Sequence, residues 1–490
     1  MNGKPIRVRG GSSGTAVGLD SLDAAAGLLA DVAHEAAVVV SHVAAVATDP
    51  DLVAGSVLSP LTGAWADAAL IEAVGPLGLP GEMAALLSLS VALAAASRSY
   101  RQAEEAAART LELAQDTVMY AVGACAPAIV VGVLALDALG VEVARLLDEA
   151  VFATPAIADV AGGAEGLVAG LRSDPLTRPF IATPPRTEGL TAGQDYEVAV
   201  RALADGAALW GLLSDRGRAR VTPQASPRAG ARVPRSLEDL AADQRNVGDS
   251  EAYAGHVRVI EVPRAQGSAW IVEISGTQVW DPGAGRNPFD LTTDVRTMAQ
   301  DGTVLAEGVQ QALEQAQASS ARALSAQASA AQPSTVPTPG PVMLVGHSLG
   351  GMAAAGLASS PRFTQAQPVT HVVTMGSPVG RMPIPADIQV LSLEHRQDAV
   401  PRLDGVPNPD RATWVTVSRE LGGGEDPTDP AGLDRASEAH DTRLYVRTAA
   451  LVDQSTDPGL AAWRSGASDF FAGDTHGPPV VRDYTVERIT

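Results

Sequence analysis

The residues most able to do chemistry lie at Gly346-His347-Ser348-Leu349-Gly350, between the apolar run PVMLV and an Ala-rich stretch. A serine with glycines two positions to either side, at a strand-turn-helix junction, is what a nucleophile elbow requires. So tight a turn crowds the residues two before and two after the serine. Only a minimal side chain fits there, and the hydroxyl is left at the helix N-terminus. The chemistry this permits is attack by Ser348 on an acyl carbonyl. The plainer alternative, in a chain with 48 glycines, is a Gly-rich turn with Ser348 as an ordinary helix N-cap.

A serine hydroxyl is a poor nucleophile at neutral pH, so it needs a histidine to take its proton and an acid to orient that histidine. After an elbow of this kind the order along the chain is serine, acid, histidine. The segment IQVLSLEHRQDAVPRL ends a predicted strand and sets Asp398 in the following loop, at the sheet edge the elbow also faces. Asp398 is therefore the favoured acid. Glu394 and Asp404 are the nearby competitors, the first in the strand end and the second in a turn-forming DGVPNPD. Of eight histidines, His395, His440 and His476 lie downstream of that strand, and His395 precedes Asp398. His440, after a long Gly/Asp/Pro loop, is favoured over His476 in its polar GDTHGPP segment. His347 is read as support for the elbow, not as the base.

Several elements have to position these groups. Short β-branched runs at His256–Val262 and Ser268–Gly276, joined by PRAQG, predict a hairpin. An Ala/Gln/Ser helix over 308–331 leads to a strand at Val342–Val345, and further strands are expected at Thr370–Thr374 and Ile388–Leu393. Alternating helix and apolar strand predicts an α/β domain with a largely parallel sheet. Residues 1–175 read instead as an all-α helical domain, from the three-to-four-residue apolar spacing of LDSLDAAAGLLADVAHEAAVVVSHVAAVA. Breaker clusters at Pro60–Gly63 and Pro76–Gly81 divide it. Residues 176–250, Pro-rich and polar in parts, read as a linker with connecting helices, and 251–490 as the catalytic domain.

Taken together, these residues resemble the class 3 lipases, a fungal-type family of α/β-hydrolases, over Gly255–Ala449. GHSLGG at Gly346, VVTMGSPVG at Val372, Asp398-Ala-Val-Pro401, and His440 with Tyr445 follow in the family's order. SAWIVEISGT resembles the family strand that ends in the oxyanion-hole residue, which implies that role for Thr277. The amide of Leu349, following the nucleophile, is the implied second donor. Ser275 stands where the family often has Arg. The stretch DPGAGRNPFDLTTDV, Asp281–Val295, is short and polar where a lipase carries an apolar lid. The resemblance implies a Ser348-His440-Asp398 hydrolase of ester or lipid substrates that needs no cofactor. Separately, the N-terminal half resembles the helical-hairpin proteins of type VII secretion, through Trp65 in a predicted turn and Tyr100 four residues before Glu104. The rival class of function is a hydrolase-shaped domain that binds without turnover, or a secreted effector acting through its helical domain.

Composition narrows the partners. With 35 basic and 56 acidic residues the net charge is −21, which disfavours nucleic acid and anionic lipid surfaces. Aromatics make up only 4% of the chain, so Ala, Val and Leu must fill its core. Cys125, the single cysteine, excludes an intrachain disulfide and reads as a small core residue. Lys4, Arg7 and Arg9 precede a polar Gly/Ser stretch instead of an apolar segment, so Sec export is not expected. The default is cytoplasm, with non-Sec export or cell-envelope association open. The uncharged run Val118–Leu136 contains Pro127 and reads as a buried or bundle helix in preference to a membrane span. Glu425, Asp426, Asp429 and Asp434 have the oxygen ligands of a calcium loop but no EF-hand spacing, and read as a solvated acidic loop.

Overall fold

The computed structural model describes residues 6–75, 78–181, 192–225, 233–248, 255–265, 267–327, 340–422, 426, 428–430, 432–471 and 480–489. The chain forms two compact units, one of residues Thr15–Thr110 and one of Met1–Gly14 with Leu111–Thr490.

The larger unit is built on a nine-stranded sheet. Its strands are β1 (Arg7–Gly10), β2 (Arg218–Pro223), β3 (His256–Arg264), β4 (Gly267–Ile274), β5 (Val342–His347), β6 (Val369–Met375), β7 (Gln389–His395), β8 (Trp414–Arg419) and β9 (Val480–Ile489). Their order is β1-β8-β7-β6-β5-β4-β3-β9-β2. The five central strands β4 to β8 run parallel. Antiparallel pairs close both sides: β1 on β8, and β3, β9 and β2 beyond β4. The predicted α/β architecture and the β3–β4 hairpin are present.

Alternation along each strand feeds two core layers, because successive side chains point to opposite faces. Val342 and Leu344 of β5 join the layer under helices Val304–Gln327 and Leu349–Ser359. Met343 and Val345 join the opposite layer with Leu240, Tyr445 and Trp463, carried by helices Leu237–Gly248, Thr442–Gln454 and Pro458–Gly466. A sheet covered on both faces explains why its central strands read as continuous apolar runs.

The expected boundaries differ from these units. Within 176–250, β2 pairs residue for residue with β9, from Arg218 with Ile489 to Pro223 with Tyr484, and helix Leu237–Gly248 lies on the sheet. A stretch that reads as linker thus completes the sheet edge. At the opposite edge β1 pairs Arg7 with Ser418, so Arg7 and Arg9 belong to a strand of the same sheet, while Lys4 lies outside the described residues.

In the smaller unit, helices Thr15–Ala47, Pro50–Leu58 and Pro60–Val74 are followed by the helix that begins at Leu79. Leu19, Ala26 and Ala33 recur at seven-residue spacing as the buried side of the first helix. Ser90, itself buried, donates to the carbonyl of Ala26 at 2.7 Å, and Arg101 pairs with Asp20 and Asp23 at 2.8 and 3.1 Å. This small-residue seam lets the helices approach closely but leaves larger apolar side chains, such as Leu28, Leu61 and Ile71, on exposed faces. Trp65 lies inside helix Pro60–Val74, not in a turn. Pro60 occupies its first turn, where no backbone N–H is required, so the breaker begins a helix there. Tyr100 and Glu104 are interior to helix Leu79–Ala124.

Among the described residues, two stretches, Thr15–Ala47 and Pro60–Ala124, are long and apolar enough to cross a membrane. The run Val118–Leu136 breaks at Cys125, and the helix Ala126–Ala138 that follows leaves Val130, Val131 and Leu134 exposed. The expectation of a buried helix is not met, and Cys125 is exposed instead of in a core.

Candidate active site

Ser348 follows β5 and heads helix Leu349–Ser359 with φ 56° and ψ −124°. A side-chain-bearing residue with positive φ is held there only when its surroundings impose it. The surroundings here are glycines. A Cβ on Gly346 would come within 2.0 Å of the Gly350 carbonyl carbon, and one on Gly350 within 2.0 Å of the Ile274 oxygen. Ser348 stands at the N-cap position of the helix, but its side chain makes no capping bond and its hydroxyl is not used to satisfy the helix end. Its amide donates to Met375 O at 2.9 Å, which pins the turn to β6.

Asp398 lies just past β7, fully buried, and accepts from His440 Nδ1 at 2.7 Å and from the Tyr445 hydroxyl at 2.6 Å, both on Oδ2. The Val400 amide donates to Oδ1 at 2.9 Å. Burial would raise this carboxyl, but the charge and hydrogen bond of His440, with Tyr445 and Val400, hold it below the usual value. His440 occupies the junction between the short helix Ala436–Ala439 and helix Thr442–Gln454, and its side chain is 21% exposed. His347 Nε2 donates to the His440 carbonyl at 3.0 Å, and the two rings lie 4.4 Å apart. Burial drives His347 down to about 3, so the ring is neutral and acts as a strut between the elbow and the histidine loop.

The competing residues have other employment. The His395 ring stacks on Tyr445 at 3.8 Å and bonds Ala439 O and Thr448 Oγ1 at 2.7 and 2.8 Å. Asp404 accepts from the Gly380 amide at 2.7 Å. Glu394 accepts from Asn408. His476 lies outside the described residues.

Thr277 follows Gly276, where a Cβ would stand 3.3 Å from that of Ser348. Its hydroxyl donates to both oxygens of Asp294, at 3.1 and 3.0 Å. Burial lifts the Asp294 carboxyl to about 7, a rise that Thr277 and the charge of His440 moderate and Asp290 adds to. Asp294 is the site residue that sequence reasoning missed. It lies in the stretch compared with a lid, and only the fold brings its helix, Leu291–Met298, beside Thr277. That stretch is anchored: Phe289 is buried, and Asp290 caps the helix while accepting from Arg488 Nη1 at 2.7 Å. Ser275 donates to His256 O at 3.0 Å and pins the hairpin end. Leu349 is the first residue of its helix, so its amide belongs to the turn that lacks intrahelical acceptors.

Of the acidic loop, Asp426 and Asp429 are not solvated as expected, whereas Asp434 is exposed as expected. Asp426 is buried and pairs with Arg419 at 3.0 Å and Arg447 at 2.7 Å, and Asp429 also pairs with Arg419. Asp434 lies 3.7 Å from Arg435, and Glu425 is outside the described residues. Among the described residues no group of three or more His, Cys, Asp or Glu is placed to hold a metal ion.

Residues 289–462 match the family model described as PGAP1-like alpha/beta domain, a span that contains Ser348, Asp398, His440 and Tyr445 but not Thr277. No curated protein and no solved structure matches the chain. The match and the doubly covered sheet define the C-terminal region as an α/β-hydrolase-type domain preceded by a helical region. The matched description names neither class 3 lipases nor type VII secretion proteins.

Proposed function

We propose that this protein is a serine hydrolase that cleaves carboxylic esters, of lipids or of small acyl compounds, through an acyl-enzyme. The observation that carries the reading is the His440–Asp398 hydrogen bond of 2.7 Å, on loops at the sheet edge where the strained Ser348 emerges. Ser348 Oγ attacks the acyl carbon as His440 Nε2 takes its proton. Asp398 accepts the Nδ1–H and stabilises the imidazolium. The Leu349 amide donates to the oxyanion, and the Thr277 hydroxyl joins it by turning its one hydrogen away from Asp294. The C–O bond breaks, His440 returns the proton to the departing alcohol, and a water activated by the same histidine releases the acid.

The test is hydrolysis of p-nitrophenyl esters of graded chain length, with fluorophosphonate labelling, by the wild type and Ser348→Ala. Serine-dependent turnover and labelling are expected, with the chain-length optimum separating esterase from lipase. A folded wild type that neither labels nor turns over would return the assignment to a binding module.

Of the localisations left open, the apolar helices of the N-terminal half support cell-envelope association over cytoplasm. Fractionation of cells expressing the full chain tests this. Recovery in the soluble cytosolic fraction would overturn it.

A further inference from the structure

A cavity of about 460 Å³ opens beside the carboxyl ends of β7 and β8 and the edge strand β1. Five arginines line it: Arg7, Arg9, Arg396, Arg402 and Arg419. On a chain of net charge −21, such a concentration is unusual. Its acids do not consume the available donors. Glu420 is shared between Arg396 at 3.1 Å and Arg7 at 4.0 Å. Arg402 reaches Asp159 at 2.6 Å, so it is partly engaged. Arg9 donates to the carbonyl of Asn408. Arg419 is committed to Asp426 and Asp429. The remaining acid, Glu394, is pushed up to about 7 by burial, so it opposes an incoming anion less than an ordinary carboxylate would.

A guanidinium presents five N–H donors in a planar fork, and the groups that satisfy several forks at once are oxyanions with more than two acceptor oxygens. We propose that this cavity binds a phosphate group. The phosphate has two sources, the alcohol part of the ester substrate or a separate phosphorylated ligand. With neighbouring strands ~4.8 Å apart, β7 and β8 lie roughly 10–15 Å from the strand that carries Ser348, within reach of an extended phosphorylated alcohol. The substrate source rests on the hydrolase reading above; the binding site does not.

Calorimetric titration with inorganic phosphate and with glycerol 3-phosphate, at low ionic strength in a phosphate-free buffer, tests the site in the wild type, Ser348→Ala and the double variant Arg7→Ala/Arg396→Ala. Arg7 and Arg396 side chains are 79% and 56% exposed, so folding should survive, and a thermal melt checks this. Saturable binding is expected in the wild type and Ser348→Ala, weakened at least about tenfold in the double variant. Charge reversal in Arg396→Glu should weaken it as well. Absence of saturable binding, or binding unchanged in the double variant, would overturn the proposal. A matched pair of acyl esters, with and without phosphate on the alcohol, separates the sources. If the phosphate belongs to the substrate, KM in the double variant rises only for the phosphorylated ester; if it belongs to a separate ligand, both KM values stay while phosphate affinity falls. Binding without turnover would retain the site and sink the hydrolase reading.

Discussion

Tyr445 donates its hydroxyl hydrogen to Asp398 Oδ2 at 2.6 Å, the same oxygen that His440 Nδ1 reaches. The tyrosine oxygen in turn accepts from the His395 amide at 3.3 Å, so the end of β7 supports the acid through helix Thr442–Gln454. A buried carboxylate needs such partners to stay ionised.

Tyr445→Phe keeps the ring and removes one charge-assisted hydrogen bond, a loss of about 1.5–3 kcal/mol in stability. The Asp398 carboxyl then moves up toward its usual range. Because its folded value is depressed, its stabilising contribution is present above the unfolded carboxylate value and lost as pH falls through the folded one. The variant should lose stability at a higher pH on acidification. Asp398→Asn should cost far more activity, on the order of 10³- to 10⁴-fold in kcat. Denaturant melts across the acid range and steady-state rates check the two variants. An unchanged acid unfolding midpoint in Tyr445→Phe would deny the tyrosine this role.

Gly350→Ala tests the elbow. The added methyl would meet the Ile274 oxygen at 2.0 Å, backbone that cannot move aside without displacing β4. We expect a loss of about 1–3 kcal/mol in stability together with most of the proposed Ser348-dependent turnover. Wild-type activity and melting in this variant would show that the turn has slack the packing does not suggest.

Asp294 gives a pH signature. Its carboxyl, raised to about 7 in the fold, disfavours the native state as pH climbs from the unfolded value through the folded one. Asp294→Asn removes that term, so the fall in stability between pH 5 and pH 8 should be smaller than in the wild type. Glu394 and Asp404, raised to about 7 and about 6, titrate in the same window in both proteins and cancel in the comparison. Parallel stability–pH curves for the two proteins would refute the assignment.

Thr277→Val keeps the shape and removes the hydroxyl. If that hydroxyl donates to the oxyanion, kcat should fall on the order of 10²- to 10³-fold with KM little changed. An unaffected kcat would transfer the second donor to the backbone.

Arg419 is fully buried among Asp426, Asp429 and the Leu444 carbonyl. Replacing Asp426 by Ala leaves a guanidinium short of one partner and should destabilise the fold by about 3 kcal/mol, read as a lowered denaturant midpoint. A solvated loop would tolerate the change, and an unchanged midpoint would restore that description.

The chain alone determined what depends on neighbours in sequence. Glycines at 346 and 350 are demanded by a turn only five residues long, so Ser348 was legible as an elbow without any other part of the fold. The β-branched runs of the central strands were legible too, because burial on both faces leaves continuous apolar stretches. Asp398 and His440 were favoured by chain order and by the rule that groups past strand ends share one sheet edge, with Glu394, Asp404 and His476 left as alternatives.

Tertiary structure alone decided what depends on distant partners. β1 and β2 are short polar edge strands, and an edge strand carries no apolar pattern of its own. They exist because Ser418 and Ile489 lie opposite Arg7 and Arg218. Asp294 was invisible for the same reason: an acid in a polar stretch becomes part of the site only when its helix packs beside Thr277. Asp426 and Asp429 read as solvated until Arg419, drawn inward by β8, required carboxylates around it. Periodicity reports which face is apolar, and the fold chooses which charged groups must follow it inside.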